Sequence, residues 1–278
     1  MKNEASMTVS ERLARRGVRI YTAFVLGFLV IPVLVIVPLS FNDSTYFSYP
    51  MSGFTFGWYE TLFASEDWRR AFLNSLVIGL LSTVLATVLG TLAAMGISRP
   101  TFPFRGLIMP LLISPMIIPI VVVAVSLYLV FAPLGLTNTY LGVILAHTAL
   151  GTPFVVITVT ATLMAFDRNL TRAAATLGAA PWTAFRRVTL PLIMPGVATG
   201  SIFAFATSFD EVVVILFIGG AEQRTIPRQM WAGIRDQINP SILAMAALLT
   251  IFAIVLFLAI DWLRGRSAPA AGAAANIE

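Results

Sequence analysis

Long apolar runs dominate this chain, and short polar stretches divide them. About 20 mainly apolar residues in a helix cross the hydrocarbon core of a bilayer. Runs of that length predict six spans, over residues 20–41, 71–97, 106–131, 140–166, 192–218 and 242–263. A barrel would show short alternating segments instead. The expected class is therefore an all-α membrane protein of six transmembrane helices.

Composition agrees with that pattern. Of 278 residues, 58% are hydrophobic and 11% charged, against about 25% charged in soluble domains. So few charges do not cover a globule with solvated side chains. There is no cysteine, and the one histidine is His147. A disulfide framework and a His/Cys metal site are both excluded on that count. No catalytic constellation is visible, so an enzyme is not expected.

Lysine and arginine set the orientation. With the N-terminus inside, the outer segments hold Arg69, Arg70, Arg224, Arg228 and Arg235. The other thirteen of the 18 basic residues, Lys2 and Arg168 among them, then lie inside. Both termini are predicted to be cytoplasmic. The first apolar run is too long for a signal-peptide core and lacks a small-x-small cleavage site, so it is expected to remain as an anchor. The Asn42–Ser44 sequon carries no weight, because three residues match by chance.

The expected organisation is a cytoplasmic segment (1–19), a first span with its outer loop (20–70), a five-span core (71–264) and a disordered tail (265–278). The tail's small, aperiodic composition is the reason for that last assignment. No internal repeat is visible.

One inner segment breaks the apolar pattern, "TRAAATLGAAPWTAFRRVTLP" from Thr171 to Pro191. Thr171–Leu177 favours a short helix with Asn169 or Asp167 as its N-cap. Gly178 suits a left-handed helix end. Pro181 suits the first turn of a second helix, carrying Trp182, Phe185, Arg186 and Arg187. The result is a helix–turn–helix elbow under the membrane. Such an elbow either rests on lipid phosphates or docks a soluble partner.

The spacing resembles the EAA loop of ABC importer permeases: Glu-Ala-Ala, three residues, Gly, nine residues, a branched apolar residue, any residue, Leu-Pro. Ala173, Ala174, Gly178, Val188, Leu190 and Pro191 occupy the matching positions. Arg172 stands where the family has glutamate. The resemblance implies a type I ABC importer permease fold, with the elbow, Pro181 included, as the coupling helix seated on an ATPase. It also implies a sister permease, two ATPase subunits, a periplasmic substrate-binding protein and a bacterial inner-membrane location, with no nucleic acid involved. The chain has no phosphate-binding Gly-x-x-x-x-Gly-Lys loop. It is expected to carry no cofactor, with ATP–Mg held by the partner ATPase. Arg172 then implies an acidic contact on that partner.

An ordered set of landmarks is similar to the second permease subunit of the spermidine/putrescine family: "SFNDS" from Ser40, "FTFGWYETLF" from Phe54, "NSL" from Asn74 and "SFDEVVV" from Ser208. Permeases for iron, molybdate, sulfate or opines share much of the architecture, so iron, sulfate or thiosulfate, an opine or an amino-acid derivative stays open as the substrate. Independently of any family, Asp210 and Glu211 are carboxylates within an apolar run. Each costs at least about 2.5 kcal/mol at a span centre. Neighbours on a helix point about 100° apart, so the two cannot face the same way. Ser201, Ala204, Ser208 and Glu211 form one expected helical stripe; Gly200, Phe203, Thr207 and Asp210 form the next. Ser208, Phe209, Asp210 and Glu211 are the candidate substrate path, in which carboxylates and aromatic faces attract a di- or triamine. The alternatives are a structural acid paired with an outer-loop arginine, or close helix packing by small residues.

Other features are weaker. Pro110, Pro115 and Pro119 interrupt the third span's hydrogen bonds, which is tolerated beside a cavity or packed protein. His147 is expected to be a hydrogen-bonded packing residue. Tyr46, Phe54, Phe56 and Trp58 suit either a binding-protein contact or an aromatic belt. An ion-coupled secondary transporter would show charges on several spans and internal repeats; an acidic pair is seen in the fifth span alone.

Overall fold

A computed structural model describes residues 9–45, 49–99, 102–165, 167, 169–236 and 239–267. Lys2, Tyr46, Arg168 and residues 268–278 lie outside them. The described chain is helical: α1 (Val9–Leu39), α2 (Gly57–Ala64), α3 (Glu66–Ile97), α4 (Arg105–Ile117), α5 (Ile120–Phe131), α6 (Tyr140–Met164), α7 (Asn169–Thr176), α8 (Pro181–Ala184), α9 (Leu190–Asp210), α10 (Val213–Ile218), α11 (Ile226–Asp236) and α12 (Ser241–Ser267). A π-helical turn, Phe185–Thr189, joins α8 to α9.

Among the described residues, four helices are long and apolar enough to cross a membrane: Leu13–Leu39, Glu66–Ile97, Tyr140–Met164 and Pro181–Asp210. The pair α4 and α5 makes a fifth if counted as one span. The helix α12, Ser241–Ser267, includes the apolar stretch Ser241–Val255.

Two predicted spans are not continuous. The third bends by 109° between α4 and α5. Pro110 and Pro115 sit inside α4 without breaking it, whereas Pro119 ends it. Proline disfavours the helical region for the residue before it, and Ile118 is extended, with ψ 137°. The fifth span stops at Asp210 instead of running to residue 218, because Glu211 is extended at φ −74°, ψ 126°. The first helix, by contrast, begins at Val9 and not at residue 20.

The chain forms two compact units. In the first (residues to 64 with 236–257), the loop after α1 folds back on itself. The buried Asn42 side chain accepts from Ser52 N–H at 3.0 Å and Ser52 Oγ at 3.1 Å. Trp58 Nε1 donates to the Asn42 carbonyl at 2.9 Å, and Ser40 Oγ lies 2.6 Å from Tyr59 Oη. Phe41 stacks on Phe54 at 5.1 Å and meets Phe56 edge-on. Phe54, Phe56 and Trp58 therefore brace the loop, and Asn42 is committed to it.

In the second unit (65–235 with 258–278), α3, α6 and α9 pack together. Ser65 caps α3, its side chain accepting the Trp68 N–H. Ala86, Ala94, Val155, Val159, Ile193 and Ala204 form one buried cluster among these helices. Close approach explains the glycines here. A Cβ on Gly200 would lie 2.7 Å from Val155 Cα, and one on Gly90 2.7 Å from Val155 Cβ. Small residues at such seams let helix backbones meet where lipid gives no hydrophobic drive. A second cluster joins Ile78 of α3 and Ala124 of α5 with Val143, Ile144 and Leu150 of α6 and Val214, Ile215 and Ile218 of α10. It seats the short halves α5 and α10 against the long helices.

Candidate functional site

The elbow forms much as its residues require. Asp167 Oδ1 accepts the Asn169 N–H at 2.9 Å, starting α7. Gly178 ends it at φ +82°, while Ala179 N–H closes back on the Ala174 carbonyl at 3.0 Å. That is a Schellman-type cap. Pro181 opens α8. The second arm is not a separate helix, however. It runs through the π-helical turn into α9, with Leu190 N–H reaching the Phe185 carbonyl. Pro191 supplies the reason: its ring has no N–H and crowds the carbonyl four residues back, so the turn before it widens.

The elbow's surface is apolar and basic. Leu177 is 88% and Trp182 69% exposed, and Trp182 packs on Phe185 with centroids 5.4 Å apart. Arg172, Ala173, Arg186 and Arg187 are exposed; Ala174, Val188 and Leu190 are half-buried. Leu190 and Pro191 belong to α9.

A polar centre lies where α9 breaks. Glu211 Oε1 accepts from Val213 N–H and Val214 N–H, both at 2.9 Å, and Oε2 from Ile215 N–H at 3.2 Å. Its carboxylate thus occupies the start of α10, satisfying three donors that a helix end leaves free. Ser208 is buried in the last turn of α9, and its Oγ is 2.8 Å from Nδ1 of the buried His147 of α6. His147 Nε2 stands 3.9 Å from Glu211 Oε2. Asp210 is exposed and Phe209 half-buried, its ring stacked on Phe205 at 5.4 Å.

The two acids face apart, as expected, but the stripes differ from the sequence reading. Glu211 is not on the helix that carries Ser201, Ala204 and Ser208. The buried seam is instead Gly196, Gly200, Ala204 and Ser208, at spacings of four. Phe203 and Asp210 are exposed, with Thr207 half-buried beside them. No arginine or lysine pairs with either acid among the described residues, so the outer-loop arginine partner is not present. His147 is hydrogen-bonded and packed.

Sequence reasoning missed what Asn74 and Ser75 do. Asn74 Nδ2 donates to the carbonyls of Glu222 at 2.7 Å and Arg224 at 2.9 Å, and its Oδ1 accepts from Tyr140 Oη at 3.0 Å. Ser75 Oγ accepts the Ile226 N–H at 2.9 Å. Together they clamp the loop between α10 and α11. Arg228 braces it through the Gly220 carbonyl; burial, then the Arg224 charge, lowers its pKa. A polar pair opening an apolar helix was the available signal.

Solved structures share this fold. A bacterial ABC transporter chain involved in importing the acidic polysaccharide alginate superposes with a TM-score of 0.73 at 16% identity, covering 93% of this chain and 98% of that one. The bacterial alginate transporter in complex with an alginate pentasaccharide-bound periplasmic protein gives 0.70 at 20%, covering 94% and 96%. The fold is therefore that of an ABC importer permease. The chain belongs to the family of binding-protein-dependent transport system inner membrane components, whose model matches residues 86–271. It is 32% identical to the spermidine/putrescine transport system permease protein PotC of Escherichia coli K12 over 248 residues, 89% of this chain and 92% of that protein. It is 33% identical to the putrescine transport system permease protein PotI of the same organism over 230 residues, 80% and 81%. This is a transport subunit of the inner membrane, and family membership sets aside the ion-coupled transporter considered from sequence.

Proposed function

We propose that the chain translocates polyamines, putrescine or spermidine, as one permease of a bacterial ABC importer. The observation that carries this reading is the 32% identity to PotC, which extends over nearly the whole of both chains. The polar centre supports it. Asp210 is an exposed carboxylate at a helix break, flanked by Phe209, with no cationic side chain paired to it among the described residues. An organic cation gains from such a group in low dielectric, whereas an anion would meet repulsion.

In this reading Asp210 and Phe209 touch the amine, while Ser208 and Glu211 shape the break beneath them. The bent pair α4–α5 and the helix α12 complete six spans with both termini cytoplasmic, five of them within the core from 71 to 264. The elbow, from Arg172 to Pro191, docks on one of two separate ATPase subunits that hold ATP–Mg. A sister permease completes the pathway, and a periplasmic binding protein delivers the substrate. Cells deleted for this chain and supplied with radiolabelled putrescine or spermidine test the reading. Uptake is expected to be lost on deletion and restored by the intact chain. Undiminished uptake of both amines in the deletion strain would refute it.

A further inference from the structure

Between α6 and the α9–α10 break stands a buried side chain with only half of its hydrogen-bonding capacity used. His147 Nδ1 meets Ser208 Oγ at 2.8 Å. Its Nε2 is buried without a hydrogen-bond partner, and Glu211 Oε2 lies 3.9 Å away. When neutral His147 accepts a hydrogen bond from the Ser208 hydroxyl at Nδ1, the ring's other nitrogen carries the hydrogen and is a donor. Of the three backbone bonds to Glu211, the one on Oε2 is the longest, at 3.2 Å to Ile215 N–H. A shift of about 1 Å by that oxygen would bring it within hydrogen-bond reach of Nε2. The carboxylate therefore has two competing donors: the start of α10 and the imidazole of α6.

We propose that His147 is a positioning residue for the pathway: one ring nitrogen on Ser208 and the other facing Glu211, it holds the two halves of the broken fifth span in place and so fixes where Asp210 points. Ser208, two residues before Asp210, is bonded to the imidazole at 2.8 Å, and Glu211, one residue after it, faces the ring's other nitrogen at 3.9 Å. A packing role alone would need no polar partners. The proposal rests on the permease reading for its consequence, but not on the identity of the substrate.

The test uses the full chain in its assembled complex, in membrane vesicles. The chain has no cysteine of its own, so a Val212→Cys variant gives a single reporter in the break. Its labelling rate by a charged methanethiosulfonate is measured on this chain with His147 intact and as His147→Leu or His147→Gln. Leucine fills much of the space without polar atoms, while glutamine retains a donor and an acceptor. Leucine should change the rate several-fold, up to about the tenfold that one lost hydrogen bond corresponds to, and glutamine should return it toward the original. A Ser114→Cys reporter in α4 should not respond. Equal rates with histidine and leucine would overturn the proposal, as would equal failure of leucine and glutamine. Putrescine uptake is measured in the same vesicles. If the substrate is another compound, uptake is absent even with His147 intact, while labelling still reports the break.

Discussion

The carboxylate of Glu211 accepts the backbone N–H of Val214 at 2.9 Å, three residues ahead of it, and so starts α10 from inside the protein. Removing it by Glu211→Ala leaves three donors at that helix start unanswered. The expected loss is about 2 kcal/mol or more, read as a lower melting temperature of the detergent-purified complex. Glu211→Gln keeps one acceptor oxygen and should lose less. Equal melting temperatures for alanine and the parent would show that the cap contributes nothing.

Asp210 makes a different prediction, because its side chain is exposed and carries no such load. Asp210→Asn should leave the complex assembled and its melting temperature unchanged. Initial polyamine uptake should fall about tenfold, the factor that 1.4 kcal/mol of lost attraction gives. Normal uptake by this variant would remove Asp210 from the pathway.

The α6–α9 seam has no room for a side chain at Gly200, where a Cβ would lie 2.7 Å from Val155 Cα. Gly200→Val should therefore cost about 1–3 kcal/mol or prevent stable packing. Gly17 has nothing near its Cβ position, so Gly17→Ala serves as the tolerated comparison. Immunoblots of membrane fractions should show depletion of the first variant and parental levels of the second.

At the elbow, Gly178 sits at φ +82°, a conformation that costs an L-residue about 1–2 kcal/mol. Gly178→Val should loosen the turn between the elbow's arms and reduce the ATPase recovered with the affinity-tagged chain. Arg172 is exposed on the first arm, where the family has an acid. Arg172→Glu should also reduce recovery, since the partner surface is expected to be acidic there. Parental recovery from the Arg172 variant would place this residue outside the contact.

These residues also show what sequence reading can and cannot deliver. The fourth span was legible to within two residues, because hydropathy and length decide a helix that is apolar throughout. Gly178 and Pro181 announced the elbow, because each has a backbone preference that few positions tolerate. The break at Glu211 was invisible, since Val212–Ile218 continues the apolar run and the cap operates through a side chain reaching three residues ahead. Of the three prolines in the third span, sequence alone did not single out Pro119 as the one that stops a helix. His147 and Ser208 are 61 positions apart, and nothing local to either names the other. The start of α1 was missed for a simpler reason: its first turns, "VSERLARRG", are too polar to register as a span yet remain helical.

Passage of polyamines across the membrane at the expense of ATP on a partner is the function proposed for this chain. Its most direct test is reconstitution of the purified complex, with its binding protein and ATPase, in proteoliposomes with radiolabelled putrescine on the binding-protein side. The expected result is accumulation that requires ATP on the opposite side, is suppressed by excess unlabelled spermidine, and falls about tenfold with Asp210→Asn. Accumulation no greater than in protein-free vesicles, or equal with and without ATP, would contradict it.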